Sequence, residues 1–118
     1  MMQIVAASLL SEAKVLAHPA SIDSVPTDGG KEDHVSMGMT AATKLRAIVE
    51  SAERMLAIEL ITAAEGLEHR KPLKPGRGAH KAYEIVRGRV APLHKDRSMS
   101  ADIEQISAAI RDDVFDSL

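Results

Sequence analysis

Leu45-Arg46-Ala47-Ile48-Val49-Glu50-Ser51-Ala52-Glu53-Arg54-Met55-Leu56-Ala57-Ile58-Glu59-Leu60-Ile61-Thr62-Ala63-Ala64-Glu65-Gly66-Leu67 decides the fold class. Leu45, Ile48, Val49, Ala52, Met55, Leu56, Leu60, Ala63, Ala64 and Leu67 recur every three or four residues. Lys44, Arg46, Glu50, Glu53 and Arg54 mostly take the other face, which is the pattern of an amphipathic helix. The spacing predicts a helix from about Ser36 to Glu68, on the order of 50 Å long. The rest of a 118-residue chain is too short to cover its whole stripe. Such a helix belongs in a multi-subunit helical bundle. Glu59 interrupts the stripe, seven residues after Ala52 and fourteen after Leu45. A carboxylate there needs a partner. An ion pair with an Arg or Lys of a neighbouring helix is the simpler reading, and a buried acid near a site is the other.

Working outward, Leu9, Leu10, Ala13, Leu16 and Ala17 predict a helix from Met1 to about Ala17, ended by Pro19. Met1-Met2-Gln3-Ile4-Val5-Ala6-Ala7 enters the apolar pattern with no capping residue, as expected of a fragment. Lys71-Pro72-Leu73-Lys74-Pro75-Gly76-Arg77-Gly78 reads as a linker. It divides the chain into a long-helix bundle segment, 1–70, and a C-terminal helical region, 71–118. In the latter, Ala82, Ile85, Val86 and Val90 predict a short helix over Ala79 to Val90, stopped by Ala91-Pro92. Ser98-Met99-Ser100 offers an N-cap for a last helix carrying Ile103, Ile106, Ile110 and Val114, with Asp102 and Glu104 in its first turn. The fold class is all-α.

Composition supports this. Apolar residues make up 45% and aromatics 2%, so the apolar content is mainly aliphatic and suits helix packing better than a β-sandwich. With no cysteine, disulfides and thiolate metal sites are excluded, and a reducing cytoplasm fits. No apolar run is long enough to span a bilayer. The net charge of −2 is uneven: residues 69–97 hold nine Lys/Arg against Glu84 and Asp96, leaving six Lys/Arg against fifteen acids elsewhere. No aromatic stacking platform or nucleic-acid motif accompanies the basic segment. It is expected to pack against acidic surface, and no nucleic-acid partner is expected.

Between the first two helices lies Pro19-Ala20-Ser21-Ile22-Asp23-Ser24-Val25-Pro26-Thr27-Asp28-Gly29-Gly30-Lys31-Glu32-Asp33-His34-Val35-Ser36-Met37-Gly38. This polar, turn-rich loop carries adjacent carboxylates and a histidine, on the kind of segment where function tends to sit. Read without further comparison, Glu32 is a helix-start carboxylate facing the dipole of a helix beginning near Val35. Asp33 is a candidate N-cap for that helix, His34 fixes the loop by hydrogen bonds, and Met37 and Met39 are packing residues. Glu32, Asp33 and His34 are adjacent and do not converge as metal ligands must. His18, His69, His80 and His94 show no i, i+4 pairing. No metal site is expected.

The run Lys31 to Gly38, preceded by Pro19 to Ser24, resembles the aromatic amino acid lyases, and within them the histidine branch. The strongest block is residues 14–38. Weaker similarity continues through Leu56 to Ala63, Gly78-Ala79-His80-Lys81-Ala82-Tyr83-Glu84 and Asp96-Arg97-Ser98. Plant phenylalanine-type lyases carry Gln-Asp-Val-Asn-Ser where this chain has Glu32-Asp33-His34-Val35-Ser36. Position 31, often Gln in histidine lyases, is Lys here.

The resemblance implies the C-terminal portion of a cytoplasmic lyase that eliminates ammonia from L-histidine. Such enzymes use a methylidene-imidazolone (MIO) electrophile, cyclised from Ala-Ser-Gly. This chain lacks the tripeptide: Ala7-Ser8 is followed by Leu9, and Ala20-Ser21 by Ile22. The resemblance implies that Glu32 is the active-site glutamate, giving acid/base help or accepting a hydrogen bond from the imidazole. It further implies a homotetramer, an N-terminal lyase part bearing the MIO as partner, a small amino-acid substrate, and a chain that is inactive alone. The alternative is a catalytically dead helical oligomerisation module. A subunit complementing a separate polypeptide is the third possibility.

Overall fold

The computed structural model describes residues 1–22, 24–116 and 118. Asp23, inside the loop quoted above, lies outside the described residues. Among the described residues there are four α-helices: α1 Met2–Leu16, α2 Gly38–Glu68, α3 Arg77–Arg87 and α4 Ser100–Arg111. The fold is all-α, and among the described residues the only β-type pairing is an isolated bridge between Thr27 and Glu32. α2 has 31 residues, which at the α-helical rise makes it about 46 Å long. It starts two residues later than the periodicity suggests, because Met37 adopts a left-handed φ of 52° and its carbonyl accepts from Ala41 N–H at 3.0 Å.

Two compact units are present, residues 7–52 and residues 1–6 with 53–118. The core of the second is Ala57, Ile61, Ala64, Val86, Val90 and Ile106, with Leu60, Tyr83, Ile103, Ile110 and Phe115 packed against it. Ala57, Ile61 and Ala64 share one face of α2 at i, i+4 and i+7. The alanines keep that face low, and branched side chains of α3, α4 and the segment after α3 fill the space. α3 ends at Arg87, three residues before the predicted end, and the Val90 N–H still reaches the Val86 carbonyl at 2.8 Å. Thus Val90 joins the core from a turn. No side-chain cap precedes α4, whose N-cap position is Met99 rather than a serine hydroxyl. Asp102 in its first turn pairs instead with Arg97.

The side of α2 that this chain itself covers is not the stripe read from the periodicity. Leu45, Val49 and Leu56 are about half exposed, at 59%, 47% and 50%, whereas Ala57 and Ile58 are buried. The helix is apolar on more than one side, so periodicity alone does not choose which side this chain covers.

A charged cluster fastens the C-terminal end of α2 to α3. The Arg87 side chain is only 10% exposed. Its Nη2 donates to Glu65 Oε2 at 2.8 Å and its Nε to Glu68 Oε1 at 2.9 Å. Tyr83 Oη donates to Glu68 at 2.5 Å, and Lys71 Nζ lies 2.5 Å from Glu68 Oε2. Further along, Arg111 pairs with Glu53 at 2.8 Å and Arg54 with Glu104 at 3.1 Å, joining α4 to α2. Part of the basic segment is therefore neutralised by acids of this same chain. Hydrogen bonds from Lys71, Tyr83 and Arg87 hold the Glu68 carboxyl down to about 2 from its ordinary 4.5, against the opposing effect of partial burial.

Two predictions follow from this packing. Truncating Ile106, which is fully buried, to alanine should cost about 2 to 5 kcal/mol, read as a lower urea midpoint at unchanged slope. Glu68 binds its proton more weakly when folded, so its contribution to stability is present above pH 4.5 and is lost as pH falls toward 2. A thermal melt followed across that range should show the loss in the native chain. Glu68→Gln should be less stable at neutral pH and show a shallower acid dependence.

Candidate active-site hairpin

Thr27-Asp28-Gly29-Gly30-Lys31-Glu32 folds the middle of the α1–α2 loop into a six-residue hairpin. Thr27 N–H donates to the Glu32 carbonyl at 3.3 Å, and Glu32 N–H approaches the Thr27 carbonyl at 3.5 Å. The turn itself is a 3₁₀ turn over Asp28–Gly30, closed by Gly30 N–H to Thr27 O at 3.0 Å and Lys31 N–H to Asp28 O at 3.3 Å. Three successive residues have positive φ: Asp28 at 50°, Gly29 at 65° and Gly30 at 84°. Glycine enters that region without a Cβ penalty, and Asp tolerates it better than most residues. The Asp-Gly-Gly sequence is thus what allows so tight a reversal.

Glu32 stands at the open end of this hairpin with its side chain exposed. Thr27 Oγ1 donates to Glu32 Oε2 at 3.1 Å. Beyond it, Val35 N–H donates to Ser24 Oγ at 2.8 Å, tying the two flanks of the hairpin together. Nearby, Lys44 Nζ on α2 donates to the carbonyl of His18 just past the end of α1, so a cation caps the negative end of that helix. The carboxylate is a hydrogen-bond acceptor presented to solvent on a restrained loop.

The structure corrects several expectations. Asp33 is not an N-cap, since α2 starts five residues later at Gly38. For the same reason Glu32 is not a helix-start carboxylate. The loop is fastened by Ser24 rather than by His34, which is exposed. Met39 is 81% exposed and packs little. Glu59 is exposed on the uncovered side of α2, and among the described residues no basic side chain pairs with it. Among the described residues no group of three or more His, Asp or Glu side chains converges on a point that could hold a metal. Thr27 and Ser24 were missed from sequence. The Pro-Thr-Asp-Gly-Gly turn signature was the signal that could have found Thr27.

The family model described as aromatic amino acid lyase matches residues 1–88. The chain belongs to the aromatic amino acid lyase family. It is 52% identical over 108 residues to a histidine ammonia-lyase of Myxococcus xanthus, which covers 92% of this chain and 21% of that protein. A histidine ammonia-lyase of Gloeobacter violaceus is 51% identical over 110 residues, with 93% and 21% covered. Among solved structures, histidine ammonia-lyase from Trypanosoma cruzi superimposes with a TM-score of 0.89 at 39% identity, covering 95% of this chain and 22% of that one. Tyrosine aminomutase from Streptomyces globisporus follows with a TM-score of 0.87 at 34% identity, over 98% and 22%. The chain therefore spans about a fifth of the length of the curated relatives it matches.

The lyase family's MIO group is made from a protein's own Ala-Ser-Gly, and the residues present here do not fit it. Ala7-Ser8-Leu9 lies within α1 and Ala20-Ser21-Ile22 forms a 3₁₀ turn, neither with the required glycine. What the loop presents is the exposed Glu32 carboxylate and the hairpin that holds it.

The hairpin's dependence on positive φ is testable. A Cβ built on Gly30 would meet nothing within 4 Å, so Gly30→Ala probes backbone strain alone. It should destabilise the turn by about 1 to 2 kcal/mol, seen as faster amide exchange at Gly30 and Lys31 with the exchange of core amides at Val86 and Ile106 unchanged.

Proposed function

We propose that this chain is the C-terminal portion of a histidine ammonia-lyase, which converts L-histidine to urocanate and ammonia, and that it contributes Glu32 to the active site. The observation that carries this reading is the Glu32 carboxylate, exposed and hydrogen-bonded at the mouth of a closed hairpin. It is joined by identities of about 50% to proteins named histidine ammonia-lyase. A carboxylate so placed can accept from an imidazole N–H or take up a proton at Oε1. The electrophile comes from an N-terminal lyase part that carries Ala-Ser-Gly. The chain alone has no electrophile and is inactive.

Assembly is the second half of the proposal. Leu45, Val49 and Leu56 leave a partly exposed apolar row on α2, which suits association with further helices in a homo-oligomer, a tetramer in the reading from sequence. Residues 1–70 form the bundle segment with the active-site loop, and 71–118 the C-terminal helical region. Among the described residues no helix is long and apolar enough to cross a membrane, and the absence of cysteine fits a reducing cytoplasm. The same apolar row is the observation that favours the alternative, an oligomerisation module without chemistry.

Co-expression with a lyase N-terminal part bearing Ala-Ser-Gly separates the two. Following urocanate by its ultraviolet absorbance, activity should appear with the mixed parts, be absent from the purified chain, and fall at least about a hundredfold in Glu32→Gln with assembly unchanged. An assembly that forms yet stays silent with histidine, phenylalanine and tyrosine would leave the chain as a structural module.

A further inference from the structure

We propose that Thr27 is the positioning residue for the Glu32 carboxylate, its hydroxyl fixing Oε2 so that Oε1 is the oxygen offered to the substrate's N–H group. This rests on the reading of Glu32 given above and adds a residue to it. A glutamate on an exposed loop has three free side-chain torsions, and a reacting group must be held close to its productive geometry to be effective. Thr27 restrains Glu32 three times over: by its N–H, by its carbonyl and by its hydroxyl. Among the described residues no other hydrogen bond reaches the Glu32 carboxylate, so Oε1 is left open.

The residue type suits the task. Threonine is β-branched and stiff at χ1, so its hydroxyl is aimed by the backbone of the bridge. The backbone in turn is set by the turn at Asp28, Gly29 and Gly30. As a neutral donor, the hydroxyl orients the carboxylate without pairing away its charge, which an arginine or lysine at that position would do. Oε1 remains an anionic acceptor matched to an imidazole N–H.

The test uses the enzyme assembled from this full chain and the N-terminal lyase part, with L-histidine as substrate and urocanate absorbance as readout. Thr27→Val keeps the branched shape and removes the donor, while Thr27→Ser keeps the donor. Valine should lower kcat about tenfold with KM changed less than about threefold, and serine should restore most of the rate. Equal kcat in wild type and Thr27→Val overturns the proposal. Equal damage by valine and serine does so too, because shape and not the hydroxyl would then matter.

Glu32→Gln measured alongside distinguishes the two levels of inference. Loss with Glu32→Gln but not with Thr27→Val removes Thr27 alone, whereas no loss with Glu32→Gln removes the reading of Glu32. Should no active assembly form, Hα–Hβ scalar couplings of Glu32 in the full chain decide. One staggered rotamer in wild type and Thr27→Ser, averaged in Thr27→Val, supports the assignment, and averaging already in wild type overturns it.

Discussion

An arginine side chain that is nine-tenths removed from water must be neutralised, and that requirement organises residues 53–118. Arg87 meets it with two carboxylates from successive turns of α2, Glu65 and Glu68. The same carboxylates then serve other groups: Glu68 accepts from Tyr83, and Glu65 from the Leu93 backbone at 3.2 Å. Removing both acids would strand the Arg87 charge with little solvent to stabilise it. The cluster therefore holds the C-terminal half of α3 against α2 and the segment by which the chain leaves it. Aliphatic contacts among Ala57, Ile61, Val86, Val90 and Ile106 supply the apolar burial but little directionality. The ion cluster selects one register for that packing.

In residues 7–52 the governing constraint is conformational rather than electrostatic. Three residues in succession occupy a region of φ that most side chains avoid. The result is a reversal tight enough for Thr27 and Glu32 to meet. Electrostatics enter at the ends of the loop, where Lys44 caps α1 through the His18 carbonyl. Ser24 closes the outer ring through Val35. Two hydroxyl-bearing residues thus do the fastening on a segment with almost no apolar burial of its own.

How much of this was legible in the sequence depended on the kind of signal. α2 was legible because 31 residues of repeating pattern overwhelm local ambiguity. Which face this chain itself covers was not, because leucines and alanines lie on several sides and only tertiary partners choose among them. The end of α3 was misjudged since Val86 and Val90 are spaced as in a helix, yet the backbone leaves the helix at Gly88 and still returns Val90 to the core. Glu32 stood out through resemblance alone. Its bond to Thr27 is written in the Asp-Gly-Gly turn between them, a signal that periodicity does not register. Glu59 sits within the apolar pattern, and on this chain that side of the helix is open.

Thr27 and Glu32 are only five positions apart, and that brevity has a kinetic consequence. Loops of this length close in well under a microsecond, and short hairpins form within about 1 to 10 microseconds. The contacts joining α4 to α2 span 50 and 58 residues instead, and such long-range contacts bear a larger loop-closure entropy before they reward it. The posture of the carboxylate is therefore a local property of the nascent chain. It can be established before the helices of residues 53–118 have found one another, and it is encoded in a segment short enough to be moved intact onto another helical scaffold.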